Sequence, residues 1–294
     1  MHLLPAFLEE LVMAELYVLS YVHAAPLLAA REAGRSDAAT SLDLGLTTAQ
    51  VALDPGGVTL PDGQRLAWAD VEDVAADESV CYLVQDNTVA KMHRFSEERN
   101  LLYVLMPTER APTVLISGIQ MHRVKDIDPW GDTLEKIRTI KPVEGRVLDT
   151  TTGLGYTAIA AAADAQKVLT VEIDPNMIDM ARINPWSRPL FDNPRITRIM
   201  GDAFDVVQEF EEGSFSRIVH DPPMLARAGD LYSREFYGYL YRLLARGGRL
   251  YHYVGDPDSR SGSNITRGVV RRLQDTGFRR VSVRPRAFGV VAFK

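Results

Sequence analysis

Cysteine is nearly absent: Cys81 is the only one in 294 residues. That excludes an intrachain disulfide and any zinc site built from several cysteines, and it makes the cytoplasm the expected compartment. Histidine is scarce too, and His122, His220 and His252 fall at no metal-ligand spacing, so no metal is expected. Long hydrophobic runs are missing. The most apolar stretch, residues 16–30, is short, contains His23 and Pro26, and follows Glu9, Glu10 and Glu15 with no Lys or Arg before it. Neither a membrane span nor a signal peptide is expected there; an N-terminal helix facing the core or a second copy of the chain, in a homodimer, is. Positive charge is in deficit, with a net charge of −6 and a pI of about 5.6. This argues against a broad nucleic-acid-binding face but allows a local basic patch. There are no internal repeats and no low-complexity tracts.

What is present is enough apolar sequence for a core and more length than one domain usually takes. Residues 1–35 read as an N-terminal helix. Residues 36–128 read as a small β-rich domain, with hairpin signals at Pro61-Asp62-Gly63 and Gln85-Asp86-Asn87 and further strands over 101–106 and 113–119. After a linking helix over 130–140, strands and helices alternate through residues 129–294. Strands are expected over 146–149, 167–172, 195–200, 216–220, 248–254, 279–284 and 287–293. Helices are expected over 156–164, 175–183, 203–211, 232–245 and 264–276. The fold class is α/β: a doubly wound, Rossmann-like sheet whose last two strands form an antiparallel pair.

The stretch 146–158, Arg-Val-Leu-Asp-Thr-Thr-Thr-Gly-Leu-Gly-Tyr-Thr-Ala, organises the second half. It reads as a buried strand, a carboxylate at the strand end, a glycine turn and a helix. Gly153-x-Gly155-x-x-Ala158 also fits a dinucleotide fingerprint, which would mean an NAD-binding dehydrogenase. Asp149 tilts the reading, because a carboxylate there would repel a pyrophosphate and attract the ammonium of a methionyl group. About twenty residues on, a second strand ends at Glu172, where an acid suits two ribose hydroxyls.

Asp149-x-x-x-Gly153-x-Gly155 resembles the first motif of class I S-adenosylmethionine-dependent methyltransferases, although Thr151 stands where that family often has glycine. The resemblance implies S-adenosyl-L-methionine as cofactor, with Asp149, Thr150, Gly153, Gly155 and Tyr156 around its methionine part. Glu172-Ile173-Asp174-Pro175 resembles the second motif, with Ile173 against adenine, and Asp202-Ala203 would take the adenine amino group. His220-Asp221-Pro222-Pro223 resembles the Asp-Pro-Pro-aromatic motif of methyltransferases that modify planar nitrogens, with Met224 in place of the aromatic. It implies that the Asp221 carboxylate and the Pro222 carbonyl accept the amino hydrogens and make the nitrogen more nucleophilic. His122, His220, Pro223 and Tyr232 are the expected substrate neighbours.

Over its whole length the chain is similar to an uncharacterised, mainly archaeal group of predicted methyltransferases, through residues 117–123, 153–158, 184–188 and 220–223. Residues 171–175 and 231–237 are also similar to spermidine and spermine synthases, aminopropyltransferases that use decarboxylated S-adenosylmethionine, but their Gly-Gly-Gly-Asp motif is absent. The expectation is methyl transfer to a nitrogen of an RNA base or a small molecule. Aminopropyl transfer, a dehydrogenase and a non-catalytic RNA-binding protein stand as alternatives. From Arg260 onward basic residues greatly outnumber acids, which a solvated helix face and edge strand would also produce.

Overall fold

The computed structural model describes residues 16–225 and 228–294. The chain divides into two compact units, residues 1–129 with 179–188, and residues 130–178 with 189–294.

The first unit is built from three antiparallel sheets. One has the order β1 (Tyr17–Leu19), β6 (Tyr82–Gln85), β7 (Thr88–Lys91). A second runs β2 (Asp37–Thr40), β3 (Ala49–Asp54), β4 (Gly57–Thr59), β5 (Arg65–Ala67). The third runs β11 (Ile119–Gln120), β10 (Thr113–Ile116), β9 (Leu101–Met106), β8 (His93–Ser96). Tyr17–Leu19 is a strand where the sequence suggested helix, because pairing with Tyr82–Val84 and burial of all three residues outweigh local propensity. The N-terminal helix is shorter, α1 (Tyr21–Glu32); residues 1–15 of the expected helix lie outside the described residues. A second helix, α2 (Trp68–Ala76), follows β5 directly. Its buried Trp68, Val71 and Val74 recur every three residues, a helical period that a strand reading of Arg65–Trp68 conceals. In the β10–β11 hairpin Ser117 and Gly118 both have positive φ, 48° and 82°, as a two-residue turn requires.

The second unit is an α/β sandwich. Its elements are α3 (Pro129–Arg138), β12 (Arg146–Asp149), α4 (Tyr156–Ala162), β13 (Lys167–Glu172), the start of α5 (Pro175–Ile183, which counts with the first unit from residue 179), α6 (Arg188–Asp192), β14 (Ile196–Met200), α7 (Ala203–Val206), β15 (Phe215–His220), α8 (Arg234–Leu243), β16 (Leu244–Tyr253), α9 (Arg260–Thr276), β17 (Arg279–Arg284) and β18 (Gly289–Phe293). The sheet order is β14-β13-β12-β15-β16-β18-β17. The first five strands are parallel; β18 inserts antiparallel between β16 and β17. This is the Rossmann-like methyltransferase sheet with its antiparallel final pair. The helix expected over 203–211 stops early, and Arg242 of α8 takes the carbonyls of Val207 and Phe210 at 3.1 and 2.6 Å.

Burial explains the assembly. Leu148, Ile218 and Leu250 of the central strands pack with Phe236, Tyr237 and Leu240 of α8 and Val269 and Leu273 of α9. Each such side chain contributes about 1.5–3 kcal/mol on leaving water. Ser233 caps α8 by accepting the Phe236 N–H at 3.0 Å. Chain order reverses at β12, with β13 on one side and β15 on the other. In open sheets of this kind ligands bind at the carboxyl ends of the strands beside that point.

Candidate active site

That edge carries Asp149, Glu172, Met200 and His220, the last residues of β12, β13, β14 and β15. The turn after β12 is held by its three threonines. Thr150 N–H bonds to Val219 O at 3.0 Å, Thr151 Oγ1 donates to Asp221 O at 2.8 Å, and Thr152 N–H bonds to Val171 O at 2.8 Å. Gly153 and Gly155 then take left-handed φ values of 54° and 80°. At Gly155 a β-carbon would also come within 2.7 Å of Leu190. The threonine at 151 thus ties β12 to the Asp-Pro-Pro turn, a job a glycine there could not do.

Glu172 closes the opposite side. Its Oε2 accepts the Gly153 N–H at 2.8 Å and its Oε1 the Asp174 N–H at 3.0 Å, while Gly201 N–H reaches the Glu172 carbonyl at 2.9 Å. Burial pushes its carboxyl up to about 6, against the two N–H donors that favour the charge. Ile173 beside it is 52% exposed, an unusual position for isoleucine and a flat apolar surface for a ring. Asp202 is exposed and caps α7 through the Phe204 N–H at 2.8 Å; Ala203 is buried at the helix start.

Two expected cofactor contacts, Asp149 and Thr150, lie buried. Asp149 is fully buried, with Thr157 Oγ1 donating to Oδ1 at 3.0 Å and Thr170 Oγ1 to Oδ2 at 2.6 Å. Desolvation pushes its carboxyl up to about 7. Its oxygens brace β12, β13 and α4 from beneath the turn. Thr150 is buried as well, and Tyr156 packs edge-to-face on Trp130, centroids 6.2 Å apart.

Asp221 follows β15. Its Oδ2 lies 2.6 Å from Lys136 Nζ, and Lys136 in turn lies 3.0 Å from Asp132 Oδ2. Burial raises the Asp221 carboxyl from its ordinary range, and Lys136 opposes it. Burial would lower the Lys136 ammonium, but Asp221 and Asp132 outweigh it and hold it above its ordinary value. Sequence reasoning missed Asp132 and Lys136. The signal was an acid four residues before a base on the linking helix, which reads as an ordinary surface pair; only the packing of α3 buries it.

Pro222 is buried and Pro223 exposed. Tyr232 Oη donates to Pro223 O at 3.1 Å, so Tyr232 braces the turn. His220, an expected substrate neighbour, is fully buried. Its Nε2 lies 2.9 Å from Leu231 O and its Nδ1 2.7 Å from Thr150 Oγ1. A carbonyl only accepts, so Nε2 carries the proton and Nδ1 accepts from the threonine. Desolvation pushes the ring down to about 3, keeping it neutral. The His252 ring lies tilted against it, centroids 4.4 Å apart, and meets Tyr237 Oη at 2.8 Å. These histidines lock β15, β16 and the 231 turn together.

His122 belongs to the first unit, where its Nδ1 and N–H meet Thr113 Oγ1 at 2.9 and 3.2 Å. The 184–188 signature also has a local structural basis there. Asn184 caps a short turn and Trp186 Nε1 donates to Leu44 O at 2.9 Å. Among the described residues no group of three His, Cys, Asp or Glu could hold a metal, and no helix is long and apolar enough to cross a membrane.

No model of a known protein family matches the chain. It is 43% identical over 236 residues to Uncharacterized protein MJ1233 of Methanocaldococcus jannaschii, covering 80% of each. It is 30% identical over 114 residues to Polyamine aminopropyltransferase 2 of Streptomyces coelicolor, 37% of this chain and 21% of that one. Over 100 residues it is 29% identical to Putrescine N-methyltransferase 1 of Nicotiana tabacum, 33% of this chain and 27% of that one. The chain thus spans about a quarter of the length of these last two relatives. A solved spermidine synthase in complex with the transition-state analogue AdoDATO superposes with a TM-score of 0.54 at 18% identity, over 70% of this chain and 75% of that one. That likeness is one of fold.

Proposed function

We propose that this chain, which belongs to the same family as the Methanocaldococcus jannaschii protein MJ1233, is an S-adenosylmethionine-dependent methyltransferase acting on nitrogen. The observation that carries this reading is one edge on which Thr151 bonds to Asp221, Gly153 to Glu172 and Glu172 to Gly201, the 151–153 turn joining the two sets. Along it lie the Gly153–Gly155 turn, Glu172, the exposed Ile173 and the Asp221-Pro222-Pro223 turn.

The residues fit the cofactor. Gly153–Gly155 would admit its methionine part, Glu172 its ribose hydroxyls, and Ile173 with Asp202 its adenine. When bound, S-adenosylmethionine supplies an electrophilic methyl group with a good leaving group attached. The chain's own work is then positioning. Asp221 and the Pro222 carbonyl accept the hydrogens of the acceptor nitrogen. Lys136 fixes the carboxylate, Thr151 fixes the Asp221 carbonyl, and Tyr232 fixes Pro223. Asp149 supports the turn from the core.

Calorimetry with S-adenosylhomocysteine and with NAD tests the cofactor: tight NAD binding without a response to S-adenosylhomocysteine would replace this reading with a dehydrogenase. A second reading, aminopropyl transfer, is favoured by the stretch shared with the Streptomyces enzyme. Release of methylthioadenosine from decarboxylated S-adenosylmethionine with putrescine or spermidine, and no methyl transfer, would select it.

A further inference from the structure

We propose that the acceptor is an RNA, held by an arginine-rich surface that runs along α9 and edge strand β17 up to the Asp221 edge. The proposal rests on the transferase reading for the identity of the site, and on charge and topology for the partner.

Charge is segregated along the chain. From Arg260 to Lys294 nine residues are Arg or Lys and one, Asp275, is acidic, so this segment carries +8. The whole chain carries −6, which leaves −14 on the preceding residues. The fold gathers the positive segment on one side of the second unit. β17 is the terminal strand of the seven-stranded sheet, and α9 packs against β17 and β18. Arg260, Arg267, Arg271, Arg279 and Arg280 are exposed, and Arg284 is half-buried. Among the described residues these six make one ion pair, Arg271 with Asp275 at 3.9 Å.

The surface reaches the site. β17 and β16 both pair antiparallel with β18, so they run in the same direction and end on the same edge. Tyr253 pairs with Gly289, which pairs with Arg284, and Asp221 follows His220, the partner of His252. Asp221, Tyr253, Gly289 and Arg284 therefore form one row, and three strand spacings separate its ends by about 14 Å. A strand of nucleotides with a base at Asp221 would lay its flanking phosphates along the arginine edge.

An anionic membrane does not suit the surface, because Val283, 38% exposed, is the one large apolar side chain exposed among these arginines, too little to insert into a membrane interface. Arginines on an edge strand also block strand-to-strand association, and a solvated helix face accommodates those of α9, but neither requires one sign of charge to gather on both elements at once. Phosphates beside a planar amino nitrogen describe a nucleic acid. Bases unpaired in RNA loops reach an open sheet edge without first leaving a duplex.

The test is fluorescence anisotropy of the full chain with a labelled RNA stem-loop. Affinity should fall at least about tenfold as NaCl rises from about 50 to 200 mM. The pairs Arg267→Glu with Arg271→Glu, and Arg280→Glu with Arg284→Glu, should each weaken binding about tenfold or more and flatten the salt dependence. Both should keep the wild-type melting temperature and S-adenosylhomocysteine affinity. Salt-independent binding, binding unaffected by both pairs, or equal binding of a duplex DNA or of polyglutamate would overturn the proposal. RNA binding as expected without any S-adenosylhomocysteine binding would instead remove the transferase reading, and with it the RNA's role as acceptor.

Discussion

Lys136 Nζ lies 2.6 Å from Asp221 Oδ2 and 3.0 Å from Asp132 Oδ2, with 3% of the lysine exposed. Removing the cation strands one fully buried and one half-buried carboxylate, and breaking a buried pair costs about 3–5 kcal/mol. Lys136→Met should therefore lower the melting temperature. It should also move the acid limb of the pH–rate profile to higher pH, because burial would no longer be opposed at Asp221. Lys136→Arg keeps the charge and should keep the limb near its wild-type position. An unmoved limb in Lys136→Met would reduce Lys136 to a structural residue.

Asp221→Asn keeps the shape of the Asp-Pro-Pro turn and replaces a charged acceptor with an amide. Turnover should fall by about 10²-fold or more, the usual scale for one positioned electrostatic or proton-handling group. Affinity for S-adenosylhomocysteine, measured by calorimetry, should stay near wild type. Undiminished turnover would move the chemistry to another residue and favour a carbon, oxygen or sulfur acceptor.

Glu172→Gln removes one of the two acceptors that hold Gly153 N–H and Asp174 N–H, together with the charge offered to the ribose. A hydrogen bond to a charged group contributes about 1.5–3 kcal/mol, so S-adenosylhomocysteine affinity should drop about 10- to 100-fold. The carboxyl sits near 6. Wild-type affinity should accordingly weaken as pH falls through that value, and the variant should lose this dependence. A variant that binds like wild type would take the ribose away from Glu172.

Asp149 gives a stability prediction with a definite sign. Burial raises its folded-state carboxyl to about 7 from an ordinary value of 3.8, so the folded protein holds the proton more tightly than the unfolded chain. The contribution is full below the unfolded value and is lost as pH rises through the folded one. The melting temperature of the unliganded protein should fall between pH 5 and pH 8, by an amount reflecting a few kcal/mol. In Asp149→Asn that slope should flatten. A slope preserved in the variant would assign it to other groups.

The strands and helices of the second unit were legible because their periods are local: apolar runs for strands buried on both faces, and Gly153 and Gly155 in a turn only glycine takes easily. The positions of Glu172 and Asp221 at strand ends were legible for the same reason, since each directly follows or ends a readable strand. Sequence alone also determined the charge asymmetry of the last thirty-five residues. Tertiary structure decided where side chains spend their hydrogen bonds. For Asp149, His220 and Tyr232 the sequence named no partner within the chain, and packing supplied Thr157 and Thr170, Thr150 and Leu231, and Pro223. Asp132 and Lys136 looked like a surface pair, and packing of α3 made them the setting of Asp221. The difference is physical: backbone conformation follows from neighbours in the chain, whereas a buried polar group must find its partner in whatever the fold brings beside it.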